Sequence, residues 1–434
     1  MAAIVAGAVA VALLVQYLVE TALIALNVRH ARTERGVPER MAAWYDDGAA
    51  EQSRAYVRAN GLLAMARNTW DLAVILVMVF SGVLPHLDRA LSSLGLRGPH
   101  LFVVFLGLVT MVHVATSAPV AAFQTFVIEQ RFGFNRTTPA TWIADKLRSM
   151  ALVGLFGVPF LYAVYAVVTR SGRLWWLWIF ALMAGFQVFM LWLWPTFIAP
   201  LFNRFQPLPQ GELKARLDAM ADAAGFHNRG LFVMDASRRS GHANAWFAGI
   251  FRPRIVLFDT FLAQTTPDEA AAVLAHEIGH FKRSHVKLRL LWSLAATLGM
   301  LWLLSLLVPW RPLYDAFGFA GPSLHAATAL VTLAGGAFLF WMTPVASWLS
   351  RRHEYEADRF AMALCGQPEA LASSLVRLHR SNLSNVDPHP WFSAWYYSHP
   401  TLADRLAAIE REEARIAVNA AQEREQMRFD AANR

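Results

Sequence analysis

The composition of this 434-residue chain is that of a membrane protein rather than of two or three soluble domains. With its 25 Gly counted in place of its 9 Tyr, the apolar share rises from 56% to about 60%, against about 45–50% in soluble proteins. Only 16% of the residues are charged. A single cysteine, Cys365, excludes a disulfide scaffold, and ordinary Gly and Pro contents exclude collagen-like and disordered chains. On so apolar a chain, the net charge of +8 indicates basic cytoplasmic loops, so we expect membrane lipids and no nucleic acid as partners.

Seven apolar stretches are long enough, or nearly so, to cross a bilayer as helices of about 20 residues. They are Ala3–Leu26, Leu72–Leu87, Leu101–Phe123, Met150–Val168, Trp175–Ile198, Leu288–Trp310 and Ala326–Leu349. The second is short unless it starts near Gly61, which places Arg67 and Asp71 within it. No basic residue precedes the apolar run of the first, which favours an uncleaved span over a signal peptide. Polar Asp71, His113 and Gln187 fall in or near spans, where they either face water inside the protein or form hydrogen bonds between helices.

The short loops differ in their content of Lys and Arg, and this difference predicts the orientation of the spans. The loops after the first and third spans contain Arg29, Arg32, Arg35, Arg40, Arg54, Arg58, Arg131, Arg136, Lys146 and Arg148. The loops that alternate with them contain only Arg89, Arg97, Arg170, Arg173 and Arg311. We therefore expect the N-terminus outside the cell, with residues 202–287 and the C-terminus in the cytoplasm. The Ala- and Arg-rich composition further indicates a bacterial inner membrane.

The polar segment 202–287 has the patterns of a mixed α and β structure. A helix, a strand and the two strands of a hairpin are predicted at Gly211–Ala224, Gly230–Met234, Ala245–Ile250 and Arg254–Phe258. Another helix begins after Thr266 as N-cap, with Pro267 in its first position, and is predicted to run on into the sixth span. Residues 350–434 are predicted to be mostly helical.

The helix that begins after Thr266 contains the pattern His-Glu-x-x-His, at His276, Glu277 and His280. Residues four apart share one face of a helix, so both imidazoles can bind a single zinc ion. Glu277 lies beside the first histidine, where a carboxylate can accept a proton from a metal-bound water. The alternative is a helix whose histidines lie at the membrane surface, which would also suit the residues that follow: Lys282, Arg283, His285 and Lys287.

A catalytic zinc ion needs a third protein ligand and one position open to water. Beyond the seventh span, Glu354 and Asp358 share one predicted helical face, whereas Glu356 points elsewhere. One carboxylate can bind the metal while the other fixes a ligand imidazole, and we favour Glu354 as the ligand and Asp358 as its neighbour. One alternative is a surface helix with charge pairs four residues apart. Another is a closed structural site that adds Cys365 as a fourth ligand.

Further blocks stand in order around these motifs, namely Phe126–Asn135, Pro195–Gly211, His242–Gly249, Arg254–Thr260 and Trp395–Arg405. Together with His-Glu-x-x-His and the later Glu-x-x-x-Asp, they resemble the type I CAAX prenyl endopeptidase family. These are integral-membrane zinc metalloproteases, and the HtpX protease is their shorter bacterial relative. Two positions depart from the family's pattern, since His353 stands where the family has an aromatic residue and Glu356 where it has a neutral one.

The resemblance implies an α-helical polytopic membrane protein, with about seven transmembrane helices enclosing a chamber and a zincin-like α+β metalloprotease domain on the cytoplasmic side. It implies that one zinc ion is bound by His276, His280 and Glu354, and that Glu277 is the general base.

The same resemblance implies that His399 and Arg405 stabilise the tetrahedral intermediate, where positive groups meet the developing negative charge. The alternative for His399 is a turn residue that caps the helix after it. Substrate backbone is expected to pair, as an added strand, with the segment formed by Asn244, Ala245, Trp246 and Phe247. A plain structural hairpin is the alternative there.

We therefore predict a membrane-embedded zinc metalloendopeptidase that hydrolyses peptide bonds of membrane-associated or CAAX-like substrates, lipid-modified or not. The predicted segments are a five-span region at 1–201, a first catalytic part at 202–287, two spans at 288–349 and a second catalytic part at 350–434. Because bacteria do not generally make prenylated CAAX proteins, the family name does not define the substrate. The alternatives are a broad-specificity quality-control protease and a non-enzymatic membrane scaffold with structural zinc.

Overall fold

The computed structural model describes residues 1–32, 37–226, 230–248 and 254–432. The chain forms two compact units. The apolar unit consists of Met1–Val28, Ala59–Phe202 and Leu288–Thr343. The mixed unit consists of Arg29–Arg58, Asn203–Lys287 and Pro344–Arg434. The basic loop after the first span, Arg29–Arg58, thus belongs to the mixed unit. The sequence prediction instead places this loop in the five-span region 1–201.

The described elements of the first part of the chain, up to Phe202, are all helices. Its α-helices are α1 (Ala2–His30), α2 (Glu39–Ala42), α3 (Asp47–Phe80), α4 (Val83–Ser93), α5 (Gly98–Phe123), α6 (Pro139–Arg170), α7 (Trp175–Leu193) and α8 (Ala199–Phe202). Turns of π-helix extend α5 over Gln124–Glu129 and join α7 to α8 over Trp194–Ile198.

The remainder combines helices with four short strands. In chain order these are β1 (Phe205–Pro207), α9 (Glu212–Ala223), β2 (Leu231–Met234), β3 (Ala245–Ala248), β4 (Arg254–Phe258), α10 (Asp259–Leu262), α11 (Pro267–Lys282), α12 (His285–Leu307), α13 (Arg311–Asp315), α14 (Leu324–Ala334), α15 (Gly336–Leu339), α16 (Thr343–Cys365), α17 (Pro368–Ser381), α18 (Pro390–Tyr396) and α19 (Leu402–Ala432).

Six helices in the described part of the chain are long and apolar enough to cross a membrane. A seventh span is obtained if Leu324–Ala334 and Gly336–Cys365, which meet at an angle of 42°, are counted together. The expected polytopic helical fold is therefore confirmed. The second span is not short, because α3 begins well before Gly61 and includes Arg67 and Asp71.

The core of the apolar unit forms where α5 meets α14. Phe102 and Phe105 of α5 are almost fully buried against a face of α14 that contains Ala326, Ala327 and Ala329. Small side chains let two membrane helices approach closely, so van der Waals contact can hold them without a hydrophobic driving force between them.

The polar residues predicted in or near the spans have different surroundings. Gln187 of α7 lies 3.5 Å from Thr297 Oγ1 and 3.4 Å from Ser293 Oγ, both on α12, as expected for contacts between helices. Asp71 instead pairs with Arg67 on its own helix, at 3.4 Å. The His113 side chain is exposed.

The sheet of the mixed unit has the strand order β1-β2-β4-β3. The central pair β2 and β4 is parallel, and the two outer pairings are antiparallel. The predicted antiparallel pairing of β3 with β4 is confirmed, with Trp246 opposite Val256, while residues 249–253 between them lie outside the described part. One face of the sheet packs on α11 through a fully buried cluster that includes Leu257, Phe261, Leu274 and Ile278.

Helix α11 begins as predicted but does not end as predicted. Thr266 accepts a hydrogen bond from the backbone of Glu269, and the Glu269 side chain accepts one from the backbone of Thr266, which forms a capping box. The expected continuation into the sixth span is wrong, because α11 ends at Lys282 and α12 starts at His285. Ser284 lies between them with φ of 59°, a left-handed conformation that cannot continue a right-handed helix.

Candidate metal centre

Three predicted ligands converge between α11 and α16 in the mixed unit. His276 and His280 lie one turn apart on α11, and Glu354 faces them from α16. One ligand atom from each lies within 4.8 Å of the other two. Glu354 is 1% exposed and His276 is 7% exposed, so both are withdrawn from bulk water.

The separations within this cluster are short enough for one metal ion to contact all three side chains. The two Nε2 atoms of His276 and His280 are 3.1 Å apart. Glu354 places one carboxylate oxygen 3.4 Å from the first and the other 3.3 Å from the second. Zinc bonds of about 2.0–2.1 Å in tetrahedral geometry separate neighbouring ligand atoms by about 3.3–3.4 Å. The residues present therefore fit a zinc ion.

Close packing of two helices brings Glu354 to the histidines. Gly279 of α11 faces Ala357 of α16, and a Cβ at Gly279 would lie 3.1 Å from the Ala357 Cα and 3.2 Å from the Phe360 Cβ. Any larger residue at this position would push the neighbouring atoms of α16 away by a few tenths of an ångström. The small residue inside His-Glu-x-x-His is thus part of the site's geometry.

Asp358 and Arg405 fix the ring of His276. The Nδ1 atom of His276 lies 2.9 Å from an Asp358 oxygen, and Arg405 Nε donates to the other oxygen of the same carboxylate at 2.9 Å. Since a carboxylate only accepts, His276 donates from Nδ1 and keeps its Nε2 lone pair for a metal. Burial lowers the pKa of His276, but hydrogen bonds to Asp358 and Glu354 outweigh burial and raise it to about 9, so a metal that binds at Nε2 displaces a proton from that atom.

Arg405 is buried, and the contacts of its guanidinium are with this network. Burial lowers the pKa of Arg405, but the charge of Asp358 outweighs burial and raises it above its usual value. Its Nη1 is 3.9 Å from Glu354 Oε2. In this geometry the arginine acts on His276 through Asp358, and stabilisation of a tetrahedral intermediate by Arg405 stays a prediction.

Glu277 and His399 complete the group around Glu354. Burial raises the pKa of Glu277, the charge of Glu354 adds to this effect, and the charge of His276 opposes it. His399 lies in the non-helical link between α18 and α19, with its Nδ1 2.7 Å from Glu354 Oε2. Its side chain is 63% exposed, so the ring can contact both the cluster and a substrate.

The predicted substrate segment lies on β3, at one edge of the described sheet. Ala245 packs towards the cluster around Leu257, whereas Trp246 packs on the opposite face beside Val256. Asn244 is exposed, and its side chain accepts a hydrogen bond from the backbone of Ala245. Of Phe247 only the backbone is described, opposite Ile255. The edge position is what strand addition requires.

Two residues that the sequence did not indicate as functional lie beside the cluster, His285 in contact with His280 and Glu356 in contact with His285. His285 Nδ1 lies 2.9 Å from His280 Nδ1, and Glu356, which was expected to point elsewhere, lies 3.1 Å from His285 Nε2. A histidine just past the helix and a second acid beside Glu354 were the available signals. Cys365, the fourth ligand of the alternative closed site, instead lies near Met220 Sδ and the Ala271 carbonyl and is not in the cluster.

Two features of the chain define a class of protein, the membrane-integrated metalloproteases. One is the set of helices that can cross a membrane, and the other is the convergence of a carboxylate with two imidazoles of a helix that also contains Glu277. Residues 27–204 match the family described as CAAX prenyl protease N-terminal, five membrane helices, and residues 207–413 match Peptidase family M48. The chain belongs to peptidase family M48. Members of this family are metalloproteases, so the family implies a bound metal and a peptide or protein substrate.

Characterised relatives match most of the chain. CAAX prenyl protease 1 of Saccharomyces cerevisiae is 34% identical over 394 residues, which cover 84% of this chain and 86% of the relative. The CAAX prenyl protease 1 homolog of Homo sapiens is 28% identical over 444 residues, covering 91% and 93%. The crystal structure of S. mikatae Ste24p has a TM-score of 0.84 at 31% identity, covering 92% of this chain and 98% of that one. These relatives are eukaryotic and give no support to the expected bacterial source.

Proposed function

We propose that the chain is a zinc endopeptidase whose single metal ion is held by His276, His280 and Glu354. The convergence of two imidazole nitrogens and the Glu354 carboxylate within reach of a single metal ion carries the proposal. Imidazole and carboxylate without cysteine are typical of catalytic rather than structural zinc, which argues against a scaffold role.

When bound, zinc supplies a Lewis acid that lowers the pKa of water and polarises the scissile carbonyl. Glu277 accepts the proton of the attacking water and passes it to the leaving amine, a role that its raised pKa suits. His399 donates a hydrogen bond to the carbonyl oxygen as negative charge develops there. Asp358 and Arg405 hold the His276 ring in its metal-binding orientation.

Substrate is proposed to bind as an additional strand along β3, from Asn244 to Phe247. Main-chain hydrogen bonds at a sheet edge align an extended peptide whatever its side chains. The names of the similar proteases favour substrates that end in a CAAX sequence, lipid-modified or not, over the broad-specificity alternative.

The proposed topology follows from the basic loops: the N-terminus lies outside, and both parts of the mixed unit that flank the last spans lie in the cytoplasm. An inner membrane of a bacterium is the location that composition suggests. Reporter fusions after Met1 and Arg434 test the orientation, because the two ends should report opposite sides of the membrane.

Glu277→Gln in the full-length chain tests the proposed chemistry. The variant should keep one zinc per chain and lose about 10²–10⁴-fold in peptidase rate, since it removes only the proton acceptor. Glu413→Gln, an exposed glutamate on α19, is the control and should retain full activity. If Glu277→Gln cleaves normally, the assignment of the base is wrong.

Peptides ending in Cys-aliphatic-aliphatic-X, with and without a prenyl group on the cysteine, test the substrate class. Faster cleavage of CAAX peptides than of scrambled peptides of equal length is expected. Equal cleavage of all of them would contradict the CAAX assignment and favour the broad-specificity protease.

A further inference from the structure

The two histidines of the candidate metal centre are supported differently on the side away from the metal. His276 meets the Asp358 carboxylate directly, at 2.9 Å. His280 meets another imidazole, His285, with 2.9 Å between their Nδ1 atoms. The far nitrogen of that ring, His285 Nε2, lies 3.1 Å from an oxygen of Glu356.

Hydrogen-bond chemistry gives this chain a direction. The Glu356 carboxylate can only accept, so His285 donates to it from Nε2. A neutral imidazole that donates from Nε2 accepts at Nδ1, so His280 must donate from its own Nδ1. The Nε2 atom of His280, which faces His276 and Glu354, then carries the lone pair that can bind a metal.

The break between α11 and α12 makes this contact possible. Five residues along a continuous α-helix turn by about 140° from the starting direction, so His285 would then face away from His280. The left-handed conformation of Ser284, with φ of 59°, redirects the chain at this point. His285 is 1% exposed and stacks on the ring of His353, with centroids 4.2 Å apart and planes 11° apart.

We propose that His285 and Glu356 are positioning residues that fix the tautomer and ring direction of His280 for metal binding. This inference rests on the proposed function, because it takes His280 as a ligand. Glu356 does for His280, through one intervening imidazole, what Asp358 does for His276 directly. Residues that hydrogen-bond a ligand imidazole on the side away from the metal typically change metal affinity by about 10–100-fold.

The test measures zinc affinity of the metal-depleted full-length protein in detergent, by competition with a chelator of known affinity. The variants are His285→Phe, which preserves a ring to stack on His353, Glu356→Ala, and the double variant. Glu356 has a side chain 43% exposed, so Glu356→Ala should fold even if the buried His285→Phe does not. Glu412→Ala controls for loss of a carboxylate, because Glu412 pairs with Arg415 on its own helix.

Each single variant should weaken zinc binding about 10-fold or more, with Glu412→Ala unchanged. If Glu356 acts through His285, the double variant should bind zinc no more weakly than His285→Phe alone, whereas independent structural effects would add. The cobalt-substituted protein should show a shifted d–d absorption band in the same variants, and Glu356→Gln, which keeps an acceptor oxygen, should recover part of the affinity.

Two results would overturn parts of this account and are distinguishable. Normal zinc affinity in His285→Phe and Glu356→Ala, with affinity lost in His280→Ala, would refute the positioning role and leave the proposed function intact. Normal affinity in His280→Ala would refute the ligand assignment itself. Additive losses in the double variant would also refute a chain that acts through His285.

Discussion

Replacing Asp358 with Asn tests the support of His276 with almost no change in shape. The carboxylate accepts from His276 Nδ1 and from Arg405, whose Nε and Nη2 both reach it. An amide offers one accepting oxygen and one donating nitrogen. Whichever way it is turned, its NH₂ group must face either the imidazole Nδ1–H or the guanidinium, and donor then meets donor.

Two losses of different size are expected from this change. If the amide nitrogen faces the ring, His276 must move its proton to Nε2 and can no longer bind metal there. Zinc affinity should then fall by about 10–100-fold, or about 1.4–2.7 kcal/mol. Breaking a buried pair leaves Arg405, which is 9% exposed, without its carboxylate, and this typically costs about 3–5 kcal/mol of stability.

Chelator competition gives the affinity of Asp358→Asn, and thermal unfolding in detergent gives its stability. Glu410→Gln is a matched control on α19, because it breaks a surface pair with Arg40 that is more than half exposed on both sides. Such pairs contribute about 0–1 kcal/mol, so the control should unfold close to the native temperature. Native zinc affinity together with native stability in Asp358→Asn would refute the reasoning.

Two other substitutions test packing and pH. Gly279→Ala should destabilise the protein by about 1–3 kcal/mol and weaken zinc binding, because the new methyl group separates α11 from Ala357 and moves Glu354. Thermal unfolding measures the loss of stability, and chelator competition measures the loss of zinc affinity. An unchanged unfolding temperature would contradict the close packing of Gly279 on Ala357. Burial lowers the pKa of His379 on α17 from about 6.5 to about 4, so the unfolded state binds more protons between these values. The contribution of neutral His379 to the free energy of unfolding should therefore be fully present above pH 6.5 and should be lost towards pH 4, by at most about 3 kcal/mol. His379→Phe should make stability less dependent on pH in this range. Equal slopes of stability against pH in both proteins would refute this assignment.

Features encoded by neighbouring residues were predictable from the sequence. The start of α11 depends on Thr266, Pro267 and Glu269, all within one turn, and the structure has the predicted cap. The pairing of His276 with His280 follows from helical periodicity alone. The spans follow from apolar length, although composition did not reveal the 42° bend between Leu324–Ala334 and Gly336–Cys365.

Features that depend on the conformation of one residue, or on contacts between distant ones, were not predictable. Nothing in the local pattern indicates that Ser284 takes a left-handed conformation, and the resulting break determines what His285 contacts. The role of Arg405 likewise depends on a buried carboxylate 47 residues away. Residue type and spacing gave the candidate ligands, but the groups that orient them are defined by tertiary packing.

The ligand geometry of this site depends on two kinds of constraint that fail independently. One edge of the ligand triangle, between the two imidazoles, lies within α11 and survives as long as that helix is intact. The other two edges reach Glu354 on α16 and depend on the contact between Gly279 and Ala357. A change that loosens helix packing should therefore weaken metal binding while α11 stays folded. A change in Asp358 or Glu356 should instead alter the direction of one ring, and for Asp358 it also removes the partner of buried Arg405.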